Sequence, residues 1–207
     1  MSISQPVPVQ SSASTVLNGT VAPVRASHLD ANERVSLPWI VLTGDCLRSL
    51  TAIRFSSTVK VVDDIQGACG AFRAAVIGVD LSHVGTRGAA RRVLQNRVRS
   101  FVAICDQLPQ LAHIFLVTGS MPRTPERWLI SAGDAVGGKA HALIEQSWGR
   151  YVAVTVIAAG HCDNPDVLAE WITRRARRAP GFDASVALTW DEVEGDVDAH
   201  AGINQFL

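Results

Sequence analysis

A chain of 207 residues, 47% hydrophobic and with a mean hydropathy of +0.18, carries enough apolar side chains for one sizeable core and does not have the composition of a disordered protein. Lys plus Arg and Asp plus Glu both number 19, so no global field draws the chain to nucleic acid or to an anionic membrane, and neither is expected as a partner. The four cysteines, Cys46, Cys69, Cys105 and Cys162, contain no Cys-x-x-Cys pair, which argues against a zinc ribbon and a dithiol redox motif.

The start, "MSISQPVPVQSSAS", has neither the basic region nor the apolar stretch of a signal peptide, and no apolar run approaches the length of a membrane span. A reducing cytoplasm is the expected compartment. Residues 1–36 are rich in Ser, Pro, Val and Ala without helical or strand periodicity. They read as a flexible N-terminal arm, or as a segment that orders against a partner. Residues 37–207 read as one folded domain.

Within that domain "WIVLTG" (39–44), "VKVVDD" (59–64) and "AAVIGVD" (74–80) are apolar runs closed by Gly or Asp, the pattern of buried strands. The stretch after Gly85 places Ala90, Val93, Leu94, Val98, Phe101, Val102, Cys105 and Leu108 at helical spacing, which predicts a long amphipathic helix ending near Pro109. "HIFLVTGS" (113–120) is a fourth strand. "GDAVGGKAHALIEQSWG" (133–149) is a helix of small residues stopped by Gly149. "YVAVTVIAAG" (151–160) is a fifth strand. "NPDVLAEWITRRARRAPG" (164–181) is a helix with an Asn-Pro-Asp start, and "ASVALTWDEV" (184–193) is a sixth strand. Alternating buried strands and helices imply βαβ units and an α/β, Rossmann-like three-layer sandwich on a mostly parallel sheet.

Several chemistries find no support. Gly-x-Ser-x-Gly and the Walker A lysine motif are absent. His161, Cys162 and Asp163 are adjacent, and neighbouring side chains rarely converge on one ion, so no metal is expected. "RRARR" (174–178) sits where positive charge complements a helix C-terminus.

The order of these pieces resembles the short-chain dehydrogenase/reductase family over residues 38–194, most clearly after Ala74. "IFLVTGS" is similar to the family strand that ends in the catalytic serine, which would put Ser120 there, and Asn96 stands where the family has its helix asparagine. "YVAVTVIAAG", "NPDVLAEWI" and "ASVALTWDEVEG" resemble the family's later strand, helix and terminal strand. The resemblance implies a dinucleotide-binding fold and hydride chemistry in which a tyrosine donates a proton and a lysine one turn later assists it.

The departures remove both implied functions. The only tyrosine is Tyr151, and the residue four later is Thr155. At the tyrosine place stand Leu129, Ile130 or Gly133, and near the lysine place Asp134 or Gly137; Lys139 reads as a solvent-facing helix lysine. In the first loop, "TGDCLRSLTA", Thr43 and Gly44 survive, but Arg48 and Leu50 replace the two later glycines that let the backbone approach a pyrophosphate. Asp63 and Asp64 read as a strand end rather than a ribose-binding acid. The span from Asp64 to Ala74 is too short for the usual helix-strand-helix, so the nucleotide-binding half is shortened.

No catalytic residue, cofactor or metal is therefore expected, with Ser120, Asn96, Thr43 and Gly44 as vestigial positions. The resemblance also implies pairing through the two long helices and through the last helix and strand. Gly133, Gly137, Gly138, Ala142, Phe101 and Trp171 are the interface candidates, in a homo- or hetero-oligomer. The expected function is a non-catalytic subunit that pairs with an active NAD(P)-dependent ketone/alcohol oxidoreductase, of ketoacyl reductase type in one form. The alternative is a stand-alone small-molecule binding or scaffold protein that uses the old cleft. Rebuilt chemistry on Ser120 and Asp134 ranks last, because no neighbouring histidine activates the serine.

Overall fold

The apolar runs form six strands: β1 (Ile40–Gly44), β2 (Val59–Val61), β3 (Ala74–Val79), β4 (His113–Thr118), β5 (Ala153–Ala158) and β6 (Ser185–Thr189). The structure is a computed structural model that describes residues 38–63, 70–103, 105–119, 125–180 and 185–196. The expected N-terminal arm, Asp64, Cys69 and Ser120 lie outside the described residues. Every residue of β3, β4 and β5 is buried, as strands covered on both faces require. All pairings are parallel, in the order β2-β1-β3-β4-β5-β6.

Strand alternation divides the core into two layers. Val41, Ala75, Ile77, Ile114, Leu116, Val154 and Val156 face one side and pack under α2 (Arg87–Val102) and α3 (Glu126–Trp148). Ile40, Leu42, Val76, Phe115, Val117 and Ile157 face the other and pack under α1 (Thr51–Arg54) and α4 (Pro165–Arg177). The fold is thus a Rossmann-like three-layer α/β sandwich, with the doubly wound strand order 2-1-3-4-5-6. No helix among the described residues is long and apolar enough to cross a membrane.

Local chemistry sets the helix ends. The Thr86 side chain accepts from Ala89 N and the Asn164 side chain from Val167 N, each satisfying a free donor in the first turn. Gly149 closes α3 in the left-handed region at φ +60°. Three boundaries differ clearly from the sequence reading. Helix α2 ends at Val102 rather than near Pro109, and Cys105–Gln107 form a separate 3-10 turn. Helix α3 starts at Glu126 rather than Gly133, directly after Pro125. Strand β6 ends at Thr189 rather than Val193, because Thr-Trp-Asp-Glu is a capping box. Glu192 Oε2 accepts from Thr189 N at 2.8 Å, Thr189 Oγ1 accepts from Glu192 N at 3.2 Å, and the chain turns helical from Trp190.

The N-terminal edge of the sheet is tied to the end of α4. Arg73 donates through Nε to Ala176 O at 2.9 Å and through Nη2 to Arg178 O at 2.9 Å. His113 Nε2 donates to the same Arg178 carbonyl at 2.9 Å, and its Nδ1 is buried without a hydrogen-bond partner among the described residues. Burial, together with the positive charges of Arg175 and Arg73, pushes the His113 imidazole below its ordinary range against the effect of the Arg178 hydrogen bond. Arg150 performs a similar tie elsewhere, donating to the carbonyls of Cys105, Leu108 and Leu111.

The small residues of α3 have two distinct roles. A Cβ at Gly133 would stand 2.9 Å from Val156 Cγ1, and one at Gly137 would run into Ser185 Oγ. Both glycines let α3 lie close on β5 and β6. Gly138 has open space instead. Gly133→Ala is therefore expected to lower stability by about 1–3 kcal/mol through overpacking. Gly138→Ala should raise it by up to about 1 kcal/mol through helix propensity, both read by urea denaturation. Because the folded His113 titrates below its unfolded value, its contribution is complete above about pH 6.5 and is lost as pH falls below that. His113→Gln should flatten this part of the stability-against-pH curve.

Candidate functional site

Parallel strands place all their C-terminal ends on one edge, and the strand order reverses between β1 and β3. Loops leave those two strands in opposite directions, which opens a crevice where α/β sheets bind ligands. The exit from β1 is built of backbone on backbone. Gly44 sits at φ +87°, and a Cβ on it would strike the Gly78 carbonyl; a Cβ on Gly78 would strike the Asp45 carbonyl. Asp45 N donates to Gly78 O at 2.9 Å.

Asp45 then clasps the two loops together. Its Oδ2 accepts from Asp80 N at 2.8 Å, and its Oδ1 pairs with Arg97 Nη2 of α2 at 2.6 Å. Asp80 closes β3 and accepts from Ser82 N at 2.8 Å through Oδ1. Its hydrogen bonds from Ser82 hold its carboxyl below the usual carboxylate range, with a smaller contribution from His83.

The loop after Asp45 folds inward. A 3-10 turn at Arg48–Leu50 leads straight into the single turn of α1. Leu47 and Leu50 are buried: Leu47 Cδ2 lies 3.3 Å from where a Cβ on Gly119 would be, and Leu50 Cδ1 3.3 Å from one on Gly78. Leucine side chains thus occupy the approach to the β1–β3 edge, while Arg48 is exposed.

Two cavities flank this loop. One, of about 190 Å³, lies between the ends of β1 and β2 and is lined by Thr43, Gly44, Cys46, Arg54, Val61 and Asp63, among others. The second, of about 290 Å³, reaches across to the end of β5 and is lined by Cys46, Arg48, Asp80, Gly119, Gly160 and Cys162, among others. Cys46 lines both. Burial pushes the Cys162 thiol up to about 11 and that of Cys105, on the far side of the core, up to about 12.

The expected site residues scatter. Thr43 and Gly44 reach the crevice. Asn96 is exposed on α2, and it is the next residue, Arg97, that reaches the crevice. Tyr151 precedes β5 at the opposite, N-terminal edge, where its ring packs edge-on against His141 at 4.9 Å. At the tyrosine place Leu129 is buried, Ile130 packs on the core and Gly133 faces β5 and β6. Asp134 Oδ1 accepts from Ala187 N of β6 at 2.9 Å, which commits it to the sheet edge. Lys139 is exposed.

Of the interface candidates, Gly133 and Gly137 are filled by the chain's own sheet. Phe101 lies in the α2–α3 core, and Trp171 packs on Phe115 while donating to Asp196 Oδ2 at 2.7 Å. Gly138 and Ala142 are left facing outward on α3. Among the described residues no group of three or more His, Cys, Asp or Glu gathers to hold a metal, His161–Asp163 included.

Sequence reasoning missed Asp45, Arg97, Asp80 and Cys46 as a group. The only available signal was that acids directly follow Gly44 and close β3. Asp45→Ala leaves the Asp80 N–H unpaired and removes an ion pair, for an expected loss of about 1–3 kcal/mol in denaturant melts. Arg97→Ala removes only the partly exposed pair and should lower stability by less than about 1 kcal/mol. No family model, curated protein or solved structure matches the chain.

Proposed function

We propose that the chain is a non-catalytic reductase-like subunit that pairs with and supports an active NAD(P)-dependent ketone/alcohol oxidoreductase, with a ketoacyl reductase-type enzyme as the partner class. The observation that carries this reading is the place of Tyr151, the one phenol in the chain, at the edge of the sheet opposite the crevice.

Carbonyl reduction needs an acid within hydrogen-bond reach of the reacting oxygen. Among the described residues at the crevice, Asp80 is held in its ionised form and Cys162 holds its proton far above neutrality. The dinucleotide would also meet Arg48 and Leu50 where the family presents glycine, with Leu47 buried beside them, and α1 is too short to offer a helix N-terminus to a diphosphate. These features favour a role in assembly over chemistry.

The surface of α3 supports pairing. Gly138 and Ala142 stand one helical turn apart on its outward side. Beside them a shallow groove between α2 and α3 is lined by Gln95, Val98, Arg99, Val136, Lys139 and Leu143. Small residues admit a second helix at close range, and the polar rim suits a partner that is not a membrane. The larger crevice cavity favours a second reading, a stand-alone small-molecule binding protein, through its mix of polar and thiol groups.

The pairing reading is tested by comparing two preparations for NAD(P)H-dependent reduction of an acetoacetyl thioester. One is the tagged chain isolated with its partners from its own cells; the other is the same chain produced alone in a foreign host. The expected result is turnover by the complex and none by the isolated chain, with Ala142→Arg releasing the active partner. A chain that elutes alone from its own cells without reductase activity contradicts the proposal, as does turnover by the chain by itself.

A further inference from the structure

Cys46 is exposed at the point where the two crevice cavities meet, and Arg54 Nη1 donates to its sulfur at 3.5 Å. The larger cavity carries Arg48 and Asp80, one charge of each sign, together with a second thiol, Cys162. Its volume of about 290 Å³ lies at the lower end of ligand pockets and fits an amino-acid-sized group rather than a nucleotide. Gly119 and Gly160 line it as well, so the chain backbone is open to a ligand there. Nothing in the proposed pairing uses these groups, and this site stands independently of that proposal.

We infer that Cys46 is a covalent site for a small disulfide whose halves carry both a carboxylate and an ammonium group. The Cys46 thiolate attacks one sulfur of the small disulfide. The sulfur–sulfur bond of the reagent breaks, a bond between Cys46 Sγ and one half forms, and the other half leaves as a thiolate that takes up the proton Cys46 released. The reagent is the oxidant: one of its halves departs reduced, and the Cys46 sulfur is oxidised to a mixed disulfide. Arg48 attracts the carboxylate and ionised Asp80 the ammonium of the captured half.

The other described thiols are set apart by burial. Cys162 shares the cavity but keeps its proton to about pH 11, and Cys105 lies in the core and keeps its proton to about pH 12, so neither presents much thiolate near neutrality. Exchange is thereby confined to Cys46 among them. The Arg54 hydrogen bond holds its sulfur at the mouth of the cavities.

The test uses the full chain carrying Cys69→Ser and three reagents: cystine, which carries both charges on each half, cystamine, a dication, and dithiodipropionate, a dianion. Labelling rates are followed by intact mass and the site by peptide mapping, and each rate is divided by that of the same reagent with a free small thiol. The expected result is modification at Cys46, fastest for cystine after this correction. Arg48→Ala should slow cystine and dithiodipropionate by about two- to fivefold, the range of an exposed charge contact, and leave cystamine unslowed. Asp80→Asn should slow cystine and cystamine by a similar factor and leave dithiodipropionate unslowed. Melting curves confirm that the variants are folded, and Arg48→Ala alone decides the matter if Asp80→Asn does not fold. Corrected rates that are equal for the three reagents and insensitive to Arg48→Ala overturn the inference, as does equal labelling at Cys162.

Discussion

The contact on which the crevice depends is the approach of two backbones at Gly44 and Gly78. Each glycine lacks the Cβ that would strike a carbonyl of the other strand's exit, so β1 stays in register with β3 to the last residue of β1. The left-handed φ of Gly44 then turns the chain across the sheet edge instead of continuing the strand. Everything above that edge follows from this turn. Asp45 is delivered to the Asp80 amide and to Arg97, and the next residues are aimed inward as Leu47 and Leu50.

The same turn separates this crevice from a dinucleotide bed. In such a bed the loop after the first strand leaves its backbone bare and runs into a long helix whose free N–H groups meet the diphosphate. Here the loop spends seven residues on a 3-10 turn and one turn of α1, and buries leucine where bare backbone would be needed. What remains open is smaller and of mixed charge, with Cys46 between its two parts. On the proposal made above, a site of that kind takes a compact polar ligand in preference to an extended coenzyme.

Much of this fold was legible in the chain. Five of the six strands declare themselves as apolar runs closed by Gly, Asp or Ser; for β1, β3, β4 and β5 the reason is that strands covered on both faces have no polar side to alternate with. Gly149 and Asn164 likewise mark helix ends by chemistry that is local. What stayed hidden is what depends on distant residues. The ties from Arg73 to the end of α4 and from Arg150 to the Cys105–Leu111 carbonyls span long sequence separations, and an arginine in a strand or loop gives no local sign of them. Gly133 and Gly138 look alike in sequence, yet one is pressed on Val156 and the other faces open space, a difference of helix rotation. The capping box at Thr189–Glu192 was local and readable, but the apolar run through Trp190 and Val193 suggested a longer strand. At the crevice, the resemblance pointed to Asn96, while the side chain that arrives belongs to Arg97, one residue and about 100° of helix further on.

The central claim is that the crevice does not seat a nicotinamide coenzyme, and calorimetric titration of the purified chain with NADH and with NADPH tests it most directly. The account predicts no binding heat beyond dilution up to millimolar coenzyme. A saturable isotherm with a micromolar dissociation constant for either coenzyme would contradict it.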